Sequence, residues 1–124
     1  MARPNTRTIR EITLPQNWEP VAQEWASRNN FRLDKESPPG TVRYHRPMGL
    51  MMAPITVQIT PIENLQAGLD VWMPIDPITM FTTLFSVPDE MHIDSGDGSL
   101  DLERKTARML VNRLLEALAQ PLIE

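Results

Sequence analysis

ITVQIT, at residues 55–60, alternates apolar and polar side chains more cleanly than any other part of the chain. A second alternating run, LDVWM at residues 69–73, follows a short predicted turn at residues 61–67. Successive side chains of a strand point to opposite faces of a sheet, so both runs predict strands that are buried on one face. Half-buried strands of this kind are typical of antiparallel sheets.

Toward the N-terminus, the sequence predicts three more strands and one helix. The strands are expected at residues 8–14, 31–36 and 42–45, and the turn SPPG at residues 37–40 joins the last two into a hairpin. The helix is expected between Asn17, a good N-cap residue, and Asn29. Its predicted apolar stripe consists of Trp18, Val21, Ala22 and Trp25.

Toward the C-terminus, two further helices are predicted. Asp76 and Pro77 favour the start of a nearly all-apolar helix at residues 77–86, and a longer amphipathic helix is expected at residues 100–119 after a polar loop at residues 89–99. The predicted order is β-α-β-β-β-β-α-α. We therefore expect a single α+β domain over residues 1–124, with a four- or five-stranded, mainly antiparallel sheet covered by two or three helices.

Composition narrows the classes of function. The chain has 124 residues and a net charge of −4. It contains no cysteine, which excludes disulfide bonds and thiol chemistry. Residues 1–50 carry eight basic and five acidic side chains, whereas residues 51–124 carry four and eleven. An acidic chain argues against general nucleic-acid binding. No apolar run reaches the length of a membrane-spanning helix, and we expect a soluble, cytoplasmic protein.

Motifs that would identify an enzyme or a cofactor are missing from the sequence. The loop Asp94–Asp101 invites comparison with a calcium loop, but in either frame the ligand positions of an EF-hand are occupied by unsuitable residues, and a solvated turn explains the loop better. Neither His45 nor His92 has the partners of a metal site or a catalytic base. We predict no catalytic residue, metal or cofactor, and we favour a protein that is not an enzyme.

The predicted hairpin carries a strip of positive charge. Arg32 and Arg43 are expected on one face, with His45, while Tyr44 points to the other. Such a strip with an aromatic ring can receive RNA. The favoured interpretation is a charged, exposed strand that resists edge-to-edge aggregation.

The chain has more apolar side chains than a sheet with two covering helices needs. Two prolines, Pro47 and Pro54, bracket a segment that contains three methionines and a leucine and no charged residue. Trp72 is expected on the uncovered face of the sheet. Methionine suits adaptable contact surfaces. The predicted partner-binding residues are Met48, Leu50, Met51, Met52, Trp72, Ile78, Phe81 and Phe85.

Three interpretations of this surplus stay open. The helix at residues 77–86 could complete the core on the second face of the sheet. Alternatively, the surface binds a protein partner, of which a homodimer is the commonest form, so that the chain is a non-enzymatic binding or assembly module. The third interpretation is a small apolar ligand-binding protein, or an enzyme, with a cleft near His45 and Trp72.

Overall fold

The chain folds as an α+β structure, as the alternating patterns predict. A computed structural model describes residues 7–47, 54–74, 90–94 and 101–123. In chain order, the elements are β1 (Thr8–Thr13), α1 (Trp18–Arg28), β2 (Arg32–Leu33), β3 (Val42–Arg46), β4 (Ile55–Glu63), β5 (Gln66–Pro74), β6 (Glu90–Met91) and α2 (Asp101–Ala117). The predicted helix at residues 77–86 and the predicted Met-rich loop at residues 48–53 lie outside the described residues.

The sheet is antiparallel throughout, which confirms the prediction. Five strands follow the order β1-β5-β4-β3-β2, and the short β6 pairs with the end of β5. The first strand of the chain therefore lies beside β5, and β2 forms the opposite edge. Neither helix in the described ranges is long and apolar enough to cross a membrane.

Both helices bury their apolar stripes in one core on one face of the sheet. The sheet contributes buried side chains from every long strand, including Tyr44, Val57 and Val71, which lie side by side on β3, β4 and β5. Trp25 of α1 joins the layers, because its indole nitrogen donates a 2.9 Å hydrogen bond to the backbone oxygen of Leu110 on α2. Burial on this scale is the main stabilising contribution to the fold.

The two ends of the sheet differ in the connections that they carry. At one end, β4 and β5 meet in a tight turn at Asn64 and Leu65, both of which have positive φ angles of 49° and 65°. The predicted turn at residues 61–67 was too long: β4 continues to Glu63, with a shift in register after Pro61 that accommodates the extra residue. We call this the hairpin end of the sheet. The other end, where β3 leads to Pro47 and β5 finishes at Pro74, is called the proline end.

The strand predicted at residues 31–36 is only two residues long. The Asp34 carboxylate accepts a 2.9 Å hydrogen bond from the backbone N–H of Glu36, and the Asp34 carbonyl accepts one from Ser37. These bonds close a turn and draw the chain away from β3. Strand β2 therefore ends at Leu33, and the edge it presents is short.

One residue of α2 lies on the opposite side from its prediction. The charged residues of this segment predict that Arg104 lies on the solvent-facing side of the helix with Glu103, Arg108, Asn112 and Arg113. Arg104 is nevertheless 1% exposed. It precedes Ala107 by three residues and Val111 by seven, which places all three on one side of the helix. The position along the helix, and not the charge of the side chain, decides its burial.

Two side-chain amides hold the C-terminal segment against the rest of the fold. The Asn112 amide pairs with Ile123, accepting its N–H at 2.7 Å and donating to its carbonyl at 2.9 Å. The Gln120 amide does the same to Thr13 on β1, at 2.9 and 2.7 Å. On the same edge of β1, the carbonyl of Ile9 accepts a hydrogen bond from Arg10. The Gln120 amide therefore takes the place of a neighbouring strand at Thr13.

We expect Asn112→Asp to loosen the C-terminal segment. The carboxylate keeps the acceptor for the Ile123 N–H but sets a negative charge against the Ile123 carbonyl, in place of a donor. The free energy of unfolding should fall by about 1–2 kcal/mol, measured by urea denaturation. Gln23→Glu, an amide-to-acid change at an exposed residue of α1, serves as the control and should change stability far less. Equal stability of the Asn112→Asp chain and the unsubstituted chain would contradict the pairing.

Candidate contact surface

The face of the sheet that does not carry the helices presents an ordered row of side chains at the proline end. His45, Thr56 and Trp72 are directly opposed across β3, β4 and β5, and Arg32 extends the row on β2. Trp72 therefore lies on the face opposite to its neighbour Val71, which belongs to the core. The alternation in the sequence predicts this face correctly.

Trp72 is covered by two arginines. The Arg7 guanidinium lies 3.6 Å from the centre of the indole ring, and the Arg43 guanidinium lies 5.4 Å from it. A 3.5 Å ion pair with Asp70, two residues before Trp72, also holds Arg7. These are cation–π distances, and the ring is only 5% exposed. In this arrangement Trp72 is a packed residue of the second face and offers little free area to a partner.

The positive strip predicted on the hairpin has the expected geometry. Arg32 pairs with His45, and Arg43 lies on the same face of β3, whereas Tyr44 is buried in the core on the other face. Arg43, however, donates two hydrogen bonds to the Gln58 side chain, at 3.0 and 2.7 Å, and lies 4.0 Å from the Asp34 carboxylate. The charge of Arg43 is therefore used within the sheet.

The other seven predicted contact residues lie outside the described residues. The residues that flank them are described, and these lie together at the proline end. Arg46 pairs with Ile55, which brings Pro47 and Pro54 to this end, and Pro74 pairs with Glu90 beside them. The start of β1 at Thr8 lies opposite Val71, close to the same end. The Met-rich segment and residues 75–89 thus leave and re-enter the sheet at one place.

The segment at residues 90–94 is more ordered than the polar loop that the sequence predicts. Two residues of it pair with β5, and Ile93 is buried in the core. The Thr8 hydroxyl accepts a 2.9 Å hydrogen bond from the N–H of Ile93 and donates one of 2.8 Å to Asp94, while Arg108 of α2 donates to the Ile93 carbonyl. The apolar side chain of Ile93 and its satisfied backbone explain why the segment is fixed.

These contacts bear on the calcium interpretation of residues 94–101. One oxygen of the Asp94 carboxylate already accepts from Thr8 and lies 3.4 Å from the Arg10 guanidinium. A cation at that oxygen would face a fixed positive charge. Residues 95–100 lie outside the described residues. Within the described residues, no group of three or more acidic or histidine side chains lies close enough together to hold a metal ion.

Among the described residues, two of the surface cavities lie on the helical side of the sheet. The smaller, of about 300 Å³, lies between the helices beside Trp25, Arg28 and Arg113. Arg28 forms a 2.7 Å ion pair with Glu24, and Arg113 donates to the Asn29 side chain. Both cations therefore support the end of α1. Neither this cavity nor the larger one is lined by His45 or Trp72.

The larger cavity is a groove of about 580 Å³ between the first half of α1 and the β2–β3 edge. It is lined by Gln16, Glu19, Pro20, Gln23, Leu33, Val42 and Tyr44. Burial raises the pKa of the Tyr44 hydroxyl above its ordinary value of 10.0, and the negative charge of Glu19 raises it further. The sequence patterns give no sign of this groove, because it depends on how far α1 extends over β3.

The comparisons with known proteins add no function to this geometry. The sequence matches no protein-family model, and neither the curated proteins nor the solved structures include a match to it.

Proposed function

We propose that the chain is a non-enzymatic binding or assembly module that pairs with a second copy of itself at the proline end. The contact residues are Met48, Leu50, Met51 and Met52 together with Ile78, Phe81 and Phe85. The observation that supports this is the meeting of Pro47, Pro54, Pro74 and Glu90 at one end of the sheet. The segments at residues 48–53 and 75–89 are therefore both joined to the sheet at the proline end.

The packing of the described core supports the proposal. Helices α1 and α2 both bury their apolar residues on one face of the sheet, which supplies that face with its cover. On the second face, the guanidinium groups of Arg7 and Arg43 lie over Trp72. We assign the apolar side chains of the two segments to a contact between molecules. Contiguous apolar surface of this kind usually marks an interface, and a symmetric dimer is its commonest form.

The roles of the predicted residues differ within this proposal. Met51 and its neighbours supply adaptable apolar contacts. Trp72 and the arginines that cover it form the rigid base next to them, since Arg7 is held by Asp70 and Arg43 by Gln58. A fixed base limits the conformational entropy that association would cost.

The experiment is a measurement of mass in solution. Light scattering coupled to size-exclusion chromatography, over a series of concentrations, should give twice the mass of the 14.2 kDa chain. Leu50→Asp combined with Met51→Asp should raise the dissociation constant at least about 100-fold, because unpaired charges in an apolar interface are expensive. Urea denaturation of both chains, run at a concentration where the dimer is dissociated, shows whether the fold itself is unchanged.

Ile62→Asp provides the matched control. Ile62 is an apolar residue with 67% exposure that lies at the hairpin end, far from the proposed interface. The Ile62→Asp chain should remain a dimer. A monomeric wild-type chain at several hundred micromolar, or equal dissociation of the two variants, would overturn the proposal.

A further inference from the structure

The groove between α1 and the β2–β3 edge has apolar walls that the fold does not cover. Leu33 and Tyr44 are directly opposed on β2 and β3, and Leu33 is 53% exposed although it is an aliphatic residue on the core face. Val42 is half-buried beside them, and Pro20 of α1 forms the facing wall. A volume of about 580 Å³ falls within the usual range of small-molecule sites.

Tyr44 supplies a fixed polar group to this groove. Its side chain is 3% exposed, and its ring packs edge-on against Trp25 with centroids 6.0 Å apart. Among the residues that the structure describes, no group forms a hydrogen bond with the Tyr44 hydroxyl. Tyr44 lines the groove, so its hydroxyl is available to a bound molecule.

The charge on the described residues that line the groove is negative. Glu19 is the only charged residue among the described residues that line it, and it forms no ion pair within the described ranges. Gln16, which precedes α1, and Gln23 on α1 lie on either side of Glu19 in the sequence, and their side chains provide carbonyl oxygens. The groove therefore offers hydrogen-bond acceptors around one negative charge, next to an apolar wall.

We propose that this groove binds a primary ammonium group carried on a small apolar body, such as an arylalkylamine. The ammonium group has three donors, which match the Glu19 carboxylate, the Tyr44 oxygen and a glutamine carbonyl. The apolar body lies against Leu33, Val42 and Pro20. This site is separate from the proline end, so its test is independent of the proposed dimer.

The experiment compares three probes of nearly equal shape by isothermal titration calorimetry at neutral pH. The probes are 2-phenylethylammonium, the neutral 2-phenylethanol and the anionic 3-phenylpropanoate. The ammonium should bind about fivefold more tightly than the alcohol, the factor expected for one ion pair near the surface. The propanoate should bind most weakly. Equal affinity for the three probes, or no binding of the ammonium at millimolar concentration, would overturn the proposal.

Two substitutions assign the recognition to named groups. Glu19→Gln should remove the preference for the ammonium over the alcohol, and Tyr44→Phe should weaken binding of the ammonium by a similar factor. Glu24→Gln is the matched control, since Glu24 lies on the same helix but pairs with Arg28 outside the groove. Comparing probes within one variant cancels any change that Glu19→Gln makes to the start of α1. An unchanged preference in the Glu19→Gln chain would contradict the site.

The geometry can be checked without a ligand. Tyr44 is the only tyrosine in the chain, so the ultraviolet absorbance of phenolate reports on it alone. Removal of the Glu19 charge should lower the pKa of Tyr44, which stays above 10.0 because the residue remains buried. Glu24→Gln should leave that pKa unchanged. If Glu19→Gln did not lower the pKa, the carboxylate would be too far from the hydroxyl for both to hold one ammonium group, and the proposal would fail.

Discussion

Trp25→Ala should lower the free energy of unfolding by about 3–5 kcal/mol, a large part of the stability of a domain of this size. Trp25 is buried between α1, α2 and the sheet, and its ring lies 4.4 Å from that of Phe31. The substitution removes this packing together with the hydrogen bond to Leu110 on α2. Urea denaturation followed by far-ultraviolet circular dichroism measures the change without depending on tryptophan fluorescence.

Trp25→Phe separates the two contributions of this residue. It retains an aromatic ring against Phe31 but removes the indole N–H that donates to Leu110. We expect a loss of about 1–2 kcal/mol, well below that of alanine. If Trp25→Ala cost less than about 1.5 kcal/mol, the helices and the sheet would not share the core described above.

Thr8→Val should lower the free energy of unfolding by about 2 kcal/mol, although valine has nearly the same shape. The Thr8 hydroxyl is buried, accepts the N–H of Ile93 and donates to Asp94. Valine leaves the buried N–H of Ile93 without a partner, and that loss is more costly than the net value of an ordinary hydrogen bond. Amide hydrogen exchange at Ile93 should accelerate more than exchange in β4.

Thr60→Val is the appropriate control for Thr8→Val. Thr60 lies on β4, on the opposite face from the core, and its hydroxyl makes no hydrogen bond with the residues described. Valine is favoured in strands, so stability should be nearly unchanged. Equal effects of the two substitutions would show that Thr8 does not fix residues 90–94.

The sheet was largely predictable because its pattern is local. Ile55 to Thr60 alternates without interruption, and the register places Val57 in the core and Thr56 on the other face, as expected. The end of β2 was not predictable from alternation, since the Asp34 carboxylate competes for the backbone of Glu36. The three-residue spacing between Arg104 and Ala107 predicts that Arg104 is buried, whereas the charge of an arginine side chain predicts that it is exposed.

The candidate surface was predictable only in part. Alternation gives the face on which Trp72 lies, and the structure places it there. Its cover could not be predicted, because Arg7 reaches the ring only through the pairing of β1 with β5, and these strands are far apart in the sequence. The contact role of Met48–Met52 and of Ile78, Phe81 and Phe85 stays a prediction.

The hydrogen bonds along the free edge of β1 also limit how molecules of this protein can aggregate. The backbone groups of successive strand residues point alternately to the two sides of the strand. On the outer side of β1, the Gln120 amide is hydrogen-bonded to the backbone N–H and carbonyl of Thr13, and the Arg10 guanidinium donates to the carbonyl of Ile9. Glu11 lies between these two positions on β1, where its negative charge opposes a like strand. Fibril growth by addition of strands to this edge would first have to displace the C-terminal segment.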